Sequence, residues 1–410
     1  MQIISDIKLI MWSGDEVKMK KYIPLSVPNM SGNEKKYVLD AIEKTWVSTG
    51  GAYITEFESK LAAFLETGSV AACQSGTAAL HLALQDCGVQ RGDVVIVPTL
   101  TFIAAVNPVV YQAAEPVFMD CDDSLCMDSE KLREFCEKEC EYQDGKLRYG
   151  RKHVKALVVV HVFGNMADME AIMDIADKYH IKVIEDATEA LGSYYTQGRY
   201  RGMYAGTIGD YGAYSFNGNK IITTGGGGAV TAKDPEAVKH MRYLSTQAKD
   251  DPHYYIHHEI GYNYRMTNVQ AALGVAQMEQ LPGFIEKKQV NYDLYQKLFS
   301  DCGECRLLSF KEGTNSNKWF YSLQINDKKI HASMKEIIEK LENSNIQTRA
   351  VWGLIHQQRP YQEASAYRIV RAIYYSKCIL NIPASTNLTK EDIVYVADEI
   401  RRILKGLANE

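Results

Sequence analysis

The sequence has no long apolar run, no excess of positive charge and no internal repeat. No window of its 410 residues approaches the run of about 18 apolar residues that a membrane helix needs. Lysine plus arginine number 46 and aspartate plus glutamate number 51, which leaves a net charge of −5. This balance argues against a protein that coats nucleic acid or an anionic membrane. The first 20 residues also lack the basic start and long apolar centre of a signal peptide. We therefore expect a cytoplasmic protein that binds neither nucleic acid nor membrane.

Cysteine is present, but its spacing does not define a zinc site or a disulfide framework. The count is nine, an odd number. Cys302 and Cys305 form a lone CxxC pair, and Cys136 and Cys140 are four residues apart with no histidine nearby. A metal or redox role for these pairs stays open, but free thiols and no metal site are the expectation.

Short apolar runs alternate with helical patterns between residues 69 and 233. The segment Val154–Val162 is apolar nearly throughout, which indicates a strand buried on both faces, as in a parallel sheet. Further strands are predicted at Ser69–Cys73, Asp93–Val97, Glu115–Met119 and Ile181–Glu185, with helices at 78–88, Phe102–Gln112 and Ala167–His180. This order predicts an α/β fold with a parallel sheet wrapped by helices.

The pattern changes near Tyr264. In the C-terminal part, amphipathic helical patterns lie at Met266–Leu281, Ile285–Leu298, Ile330–Asn343 and Lys390–Lys405. One strand is predicted, at Trp319–Ile325. Thr389 precedes the last helix as an expected N-cap. We predict an N-terminal arm over 1–20, a large domain over 21–263 and a smaller α+β domain over 264–410.

Three segments carry residues suited to binding or catalysis. Gln74–Thr77 (QSGT) joins a predicted strand to a helix, where free N–H groups and the helix dipole can bind an anion. Glu185, Asp186 and Glu189 follow a buried strand, at the edge where open α/β sheets bind ligands. These carboxylates could serve acid–base chemistry, a metal or a protonated ring nitrogen, or could simply favour a helix N-terminus.

Lys220 lies in the third segment. It stands between an Asn-Gly-Asn turn and an Ile-Ile pair, with four glycines at 225–228 that allow close backbone approach. A lysine that is partly desolvated has a lowered pKa, which suits a nucleophile that forms a Schiff base. A fourth segment, 261–274, could be interdomain packing alone.

Five segments are distinctive in order and spacing: SGTAAL (75–80), TFIAAVNPV (101–109), EDATEALGS (185–193), SFNGNKIITTGGGG (215–228) and GYNYRMTNVQAALG (261–274). Together they resemble the DegT/DnrJ/EryC1/StrS family of pyridoxal-phosphate-dependent sugar-nucleotide aminotransferases. The likeness runs from about Ile23 to the C-terminus. It implies the fold type I architecture of these transferases, with a mostly parallel seven-stranded sheet and a smaller C-terminal α+β domain. Together with the N-terminal arm, the segments IPLSVPNMSGNEKKYV (23–38), TWVSTGGAYITEFE (45–58) and SFNGNKIITTGGGG (215–228) are similar in sequence to the branch that makes legionaminic acid and bacillosamine precursors.

The resemblance implies roles for nine residues. Lys220 would bond covalently to pyridoxal phosphate and move the proton, and Asp186 would pair with the pyridinium nitrogen. Phe102 and Thr188 would lie against the two faces of the ring. The remaining positions would contact the phosphate (Gly76, Thr77 and Ser215), the phosphate of a neighbouring subunit (Asn263), and the sugar or the amino donor near the cofactor (Glu189).

The implied activity is amination of C4 of a nucleotide-linked 4-keto-6-deoxy sugar, best matched by UDP-2-acetamido-2,6-dideoxy-4-keto-hexose. The amino donor would be an amino acid, L-glutamate, and the active enzyme a homodimer with shared sites. Arg265, Lys44 and Arg349 are candidates for the sugar diphosphate, and Gln347–His356 resembles a segment near the substrate entrance.

Other activities remain as alternatives. They are a keto-sugar dehydratase, an isomerase or racemase, a C3 aminotransferase of a dTDP- or GDP-sugar, and a non-catalytic regulator on the same fold. Relatives that dehydrate carry histidine where this chain has Lys220, which favours transamination. A nicotinamide dehydrogenase is disfavoured, because no GxGxxG segment follows the first strand.

Overall fold

The computed structural model describes residues 21–409. Within that range the helices are α1 (Glu34–Glu43), α2 (Ala52–Phe64), α3 (Gly76–Asp86), α4 (Asn107–Tyr111), α5 (Ser129–Lys138), α6 (Met169–Tyr179), α7 (Pro235–Ser245), α8 (Asn268–Phe299), α9 (Met334–Glu342), α10 (Arg371–Cys378) and α11 (Lys390–Ala408). The strands are β1 (Ala71–Cys73), β2 (Val94–Pro98), β3 (Glu115–Met119), β4 (Cys140–Gln143), β5 (Lys146–Tyr149), β6 (Lys152–Val160), β7 (Lys182–Asp186), β8 (Tyr194–Tyr195), β9 (Tyr211–Ser215), β10 (Gly228–Ala232), β11 (Cys305–Leu307), β12 (Thr314–Asn315), β13 (Tyr321–Ile325), β14 (Arg349–Ala350), β15 (Ala366–Tyr367) and β16 (Ile379–Ile382).

The large sheet contains the predicted seven strands in the order β1-β10-β9-β7-β6-β2-β3. Strand β10 runs antiparallel to both of its neighbours, and the other six strands are parallel to one another. The inner strands are buried on both faces, with no exposed residue from Val94 to Pro98 or from Ala156 to Val160. The sequence signal of continuous apolar strands arises from this burial.

Three further strands extend this sheet. The hairpin β4–β5 continues from β6, and β15 pairs in parallel with β3 at the sheet edge. A second, four-stranded sheet in the order β11-β13-β16-β14 lies in the C-terminal part, together with α9 and α11. The residues of β15 thus belong to the C-terminal part of the chain but complete the large sheet. The proposed domain boundary at 263/264 stays a prediction, and the predicted arm over 1–20 lies outside the described residues.

The sequence prediction was wrong about two helical segments. Phe102–Gln112 is a short 3-10 turn followed by α4, because Pro108 has no N–H group to continue a helix from the preceding turn and suits the first turn of a new helix. Conversely, the two helices predicted around Pro282 are one 32-residue helix, α8. Leu281 and Phe284 are buried on either side of the proline. This packing offsets the backbone hydrogen bond that the proline removes.

Residues of the types that favour helix N-caps stand at the starts of α11 and α3. Thr389 accepts a hydrogen bond from Asp392 N–H while the Asp392 side chain accepts from Thr389 N–H, a capping box that starts α11. Ser75 caps α3 without a reciprocal bond: its Oγ accepts a hydrogen bond from Ala78 N–H at 3.0 Å. Among residues 21–409, no helix is both long enough and apolar enough to cross a membrane.

Candidate active site

A cavity of about 550 Å³ opens at the carboxyl ends of the parallel strands. Eight of the nine residues predicted for the site line it: Gly76, Thr77, Phe102, Asp186, Thr188, Glu189, Ser215 and Lys220. They come from four separate segments of the chain, and the sheet order brings these segments to one edge. Such an edge is where ligands bind in open α/β sheets.

The N-terminus of α3 forms one wall of the cavity. Gly76 and Thr77 occupy its first turn, where helix geometry leaves the backbone N–H groups without partners in the helix. Space here is tight, because a Cβ atom on Gly76 would lie 2.9 Å from Ser215 Cβ and from Thr188 Cγ2. A Cβ atom on Gly228 would collide with the backbone of Ser75 and Gly76. Two glycines thus let this turn approach β9 and β10 and form an anion-binding cradle beside the Ser215 hydroxyl.

Asp186 ends β7 at the floor of the cavity. Its side chain is buried, and its Oδ1 accepts a hydrogen bond from Thr188 N–H at 3.1 Å. Burial raises the pKa of this carboxyl, and the charges of Lys220 and His161 only partly oppose it. Within the described residues, no lysine, arginine or histidine forms an ion pair with Asp186. A buried acid without a counter-ion is suited to a cationic ring nitrogen.

Glu185, one residue earlier, faces away from the cavity. It is fully buried and accepts four hydrogen bonds of 2.5–2.9 Å, from His161 Nε2 and from the backbone N–H groups of Gly206, Ile208 and Gly209. Of the three carboxylates in this motif, Glu185 therefore holds the backbone that follows β8, whereas Asp186 and Glu189 line the site.

Lys220 projects into the cavity opposite these acids. Its Nζ lies 3.7 Å from Glu189 Oε1, and only 13% of its side chain is exposed. Burial lowers the pKa of Lys220, although the charges of Glu189 and Asp186 act in the opposite direction. Burial likewise raises the pKa of Glu189 to about 7, and the N–H of Phe163 holds its Oε2 at 2.8 Å.

An aromatic wall covers Lys220 from the C-terminal part of the chain. The Nζ atom lies 4.1 Å from the centroid of the Trp319 ring, and Trp319 stacks on Phe320 at 4.0 Å. Trp319 Nε1–H donates to the carbonyl of Asn219 at 2.7 Å, which ties the aromatic wall to the lysine turn. Behind it, the buried Lys288 donates to the carbonyl of Trp319 at 2.7 Å.

The ninth predicted residue, Asn263, does not line this cavity. It is exposed in the segment between α7 and α8, where its backbone bridges to Thr246. Its predicted contact with a second subunit stays a prediction.

Of the three basic residues that were candidates for binding the sugar diphosphate, one lines the cavity and two lie elsewhere. Arg265 is an ion-pair partner of Glu58 at 2.5 Å and also donates to Ala72 O, away from the cavity. Lys44 pairs with Asp40 on the surface. Arg349, on β14, lines the cavity, so we retain it alone of the three.

The cavity is also lined by Gln74, Asn217, Asn219, Trp319, Phe320, Trp352 and Asn381. Gln74, Asn217, Asn219 and Trp352 lie in segments that the sequence analysis singled out without giving these residues a role. Trp319, Phe320 and Asn381 were missed. Trp319 and Phe320 carried no signal of a site, since their apolar run is equally typical of a strand core.

The sheet order, with Lys220 and Asp186 at the carboxyl ends of its strands, defines a pyridoxal-phosphate-type transferase of fold type I. The family model described as DegT/DnrJ/EryC1/StrS aminotransferase family matches residues 28–401, and the chain belongs to that family. Members are pyridoxal-phosphate-dependent aminotransferases acting on nucleotide sugars, and this chain is an enzyme of that class.

Individual proteins show the same likeness. The chain is 36% identical to EpsN of Bacillus subtilis (strain 168) over 349 residues, which cover 85% of this chain and 86% of EpsN. It is 35% identical to the GDP-perosamine synthase of Escherichia coli O157:H7, with 93% and 98% covered. The crystal structure of the aminotransferase TlmJ from Streptoalloteichus hindustanus superposes with a TM-score of 0.84 at 24% identity, covering 94% of this chain and all of TlmJ. At that identity the TlmJ likeness concerns the fold, and it agrees with the predicted architecture.

Proposed function

We propose that this chain transfers an amino group from L-glutamate to C4 of a nucleotide-linked 4-keto-6-deoxy sugar, with UDP-2-acetamido-2,6-dideoxy-4-keto-hexose as the first candidate substrate. The observation that carries this proposal is the buried amine of Lys220, which faces Asp186 and Glu189 across one cavity. The choice of a UDP-linked substrate rests on the resemblance of sequence segments to the branch of the family that makes legionaminic acid and bacillosamine precursors. A GDP-linked substrate is the second candidate, because a relative 35% identical is a GDP-perosamine synthase.

The residues of the cavity fit pyridoxal phosphate. The cradle of Gly76, Thr77 and Ser215 would hold the phosphate, and Asp186 would hold the ring nitrogen. Phe102 is 55% exposed at the cavity wall, which leaves an apolar face for the ring. When bound, the cofactor supplies the electron sink that carries the amino group between the two substrates.

Lys220 would supply the covalent attachment to the cofactor and would then transfer the proton. Its lowered pKa leaves more of the amine neutral near pH 7 than an exposed lysine would have, so it can take up a proton. Glu189 would stabilise the ammonium form of Lys220. It would also exchange a proton with Lys220, since burial raises the pKa of Glu189 to about 7. Trp319 and Phe320 exclude water from this pair. Arg349 would meet a substrate anion, either the diphosphate or the donor carboxylate.

The experiment is a visible absorption titration of the purified protein with pyridoxal phosphate, before and after L-glutamate, followed by the two sugar nucleotides. We expect a visible band that glutamate bleaches and that the preferred keto sugar restores, with formation of a 4-amino sugar. Lys220→Ala should bind the cofactor without that response. A protein that shows no band after reconstitution would contradict the proposal. Restoration by the GDP-sugar alone would replace the first substrate with the second.

We further propose a homodimer in which Asn263 completes the partner's phosphate site. Exposed apolar side chains in the same segment support an interface: Ile260 is 86% exposed and Tyr254 80%. If sites are shared, mixing Lys220→Ala with Asn263→Ala subunits regenerates one intact site per mixed dimer. Activity should therefore recover on mixing, and a monomer by light scattering or an absence of recovery would overturn the shared site.

A further inference from the structure

A pair of thiols lies outside the catalytic cavity, in the turn that joins α8 to β11. Cys302 follows the end of the helix and Cys305 starts the strand, and their Sγ atoms are 3.5 Å apart. All nine cysteines are free, and seven of them are buried. Cys140 and Cys302 are the two that are partly exposed. Of these two, Cys302 alone forms a hydrogen bond with a second cysteine among the described residues.

The surroundings of Cys302 stabilise a thiolate. The thiol of Cys305 donates to its sulfur, and the backbone N–H groups of Glu304 and Cys305 add to this effect. The guanidinium of Arg401 acts on both sulfurs, although it is also paired with Asp301 at 2.6 Å. The hydrogen bond from Cys305 lowers the pKa of Cys302 to about 6, against the effects of burial and of the Glu304 carboxylate. The same bond raises the pKa of Cys305.

The pair is also reachable. Cys302 and Cys305 line an open surface cavity of about 420 Å³, together with Arg306, Gln324, Asn326 and Lys328. Cys140 is the natural comparison, because it is similarly exposed. Burial raises the pKa of Cys140 to about 12, so it stays a protonated, unreactive thiol near pH 7.

We propose that Cys302 and Cys305 form a reversible redox site that reacts with hydrogen peroxide. The Cys302 thiolate attacks one peroxide oxygen, the O–O bond breaks, and the sulfur is oxidised to a sulfenic acid while hydroxide leaves and is protonated to water. The Cys305 thiol then attacks that sulfur, the S–O bond breaks and a second water leaves. The two thiols lose two electrons in total, and the hydrogen peroxide gains them. A dithiol reductant reverses the step.

The test treats the cofactor-loaded enzyme with one equivalent of hydrogen peroxide and follows its intact mass and free-thiol count. We expect the mass to fall by two hydrogen atoms and the count to fall from nine to seven. Peptide mapping should find Cys302 joined to Cys305, and dithiothreitol should restore both readings. The rate should rise with pH through a midpoint well below that of an ordinary thiol.

Three variants separate this site from general thiol oxidation. Cys302→Ser should slow the reaction about tenfold or more, since the thiolate is lost. Cys305→Ser should stop at a sulfenic acid on Cys302 that dimedone traps. Cys140→Ser is the matched control and should react like the unmodified enzyme. Equal rates for Cys302→Ser and the unmodified enzyme, or first oxidation at Cys140, would overturn the proposal. Retention of the cofactor's absorption band would show that each variant is folded.

Discussion

Lys220 Nζ and Glu189 Oε1 lie 3.7 Å apart in a cavity that buries both side chains. Burial favours the neutral form of each group, whereas their attraction favours the charged form of both. Burial and attraction therefore act in opposite directions on the proton held by this pair. This balance is what a residue needs if it is to give and take protons during a reaction.

Glu189→Gln should lower the pKa of Lys220 further, because the substitution removes the main charge that raises it. The neutral fraction of the Lys220 amine near pH 7 should rise accordingly. The measurement is the pH dependence of Lys220 acetylation in the cofactor-free protein, quantified by mass spectrometry. Glu141→Gln, an exposed position on β4, is the control. An unchanged midpoint in Glu189→Gln would contradict the coupling, and unchanged kinetics would remove Glu189 from substrate contact.

Gly76→Ala should weaken pyridoxal phosphate binding about tenfold or more, since the added Cβ crowds Ser215 and Thr188 at 2.9 Å and displaces the anion cradle. A cofactor titration by absorbance measures the affinity. Gly218→Ala is the matched control in the neighbouring turn, where an added Cβ meets no atom within 4 Å. Equal affinity in the two variants would mean that the cradle has more room than the structure indicates.

Trp319→Leu should reduce kcat more than it changes KM. The substitution removes the ring 4.1 Å from Lys220 Nζ and the N–H donated to Asn219 O. A desolvated cation–π contact is worth roughly 1–2 kcal/mol, so a reduction of about tenfold is expected. Trp319→Phe keeps a ring face and should retain more activity. Trp46→Leu removes a tryptophan that is 61% exposed and serves as the control. Loss of activity in proportion to a lowered Tm alone would argue for a purely structural role.

Lys288 should make stability depend on pH in the alkaline range. Burial lowers its pKa to about 7, so the folded protein binds fewer protons than the unfolded chain between about pH 7 and pH 10. The free energy of unfolding of the unmodified protein, relative to Lys288→Met, should therefore rise with pH in that window, by up to about 1.4 kcal/mol per pH unit. Urea denaturation at several pH values measures the difference. The neighbouring Lys287→Met should give a curve parallel to that of the unmodified protein, and a parallel curve for Lys288→Met as well would refute the assignment.

The sequence predicted those parts of the molecule that depend on local pattern. The β strands of the parallel sheet were found because burial on both faces leaves a continuous apolar run. Thr389 and the QSGT turn were found because caps and tight turns restrict residue type. The family resemblance carried the predictions for Lys220 and Asp186, and the structure brings both to one cavity.

What the sequence could not predict depends on distant contacts. Trp319 reaches Lys220 only because the C-terminal sheet packs over the strand ends, and the residues between them number about a hundred. Arg265 looked available for a diphosphate until Glu58, some two hundred residues earlier, was found as its partner. Pro282 suggested a break in the helix, but burial of its neighbours kept α8 continuous. In each case tertiary packing overrode a local preference.

Strand β15 has a consequence for any shortened form of this protein. It covers β3, and the N–H of Phe118 donates to Ser365 O at 2.8 Å beside it. A chain that stopped at residue 263 would leave β3 with a bare row of backbone donors and acceptors, which is a template for pairing with another molecule. By pairing with β3, the two residues of β15 protect this sheet edge from pairing with another molecule. A fragment that ends at residue 263 should therefore aggregate, even if its own hydrophobic core is intact.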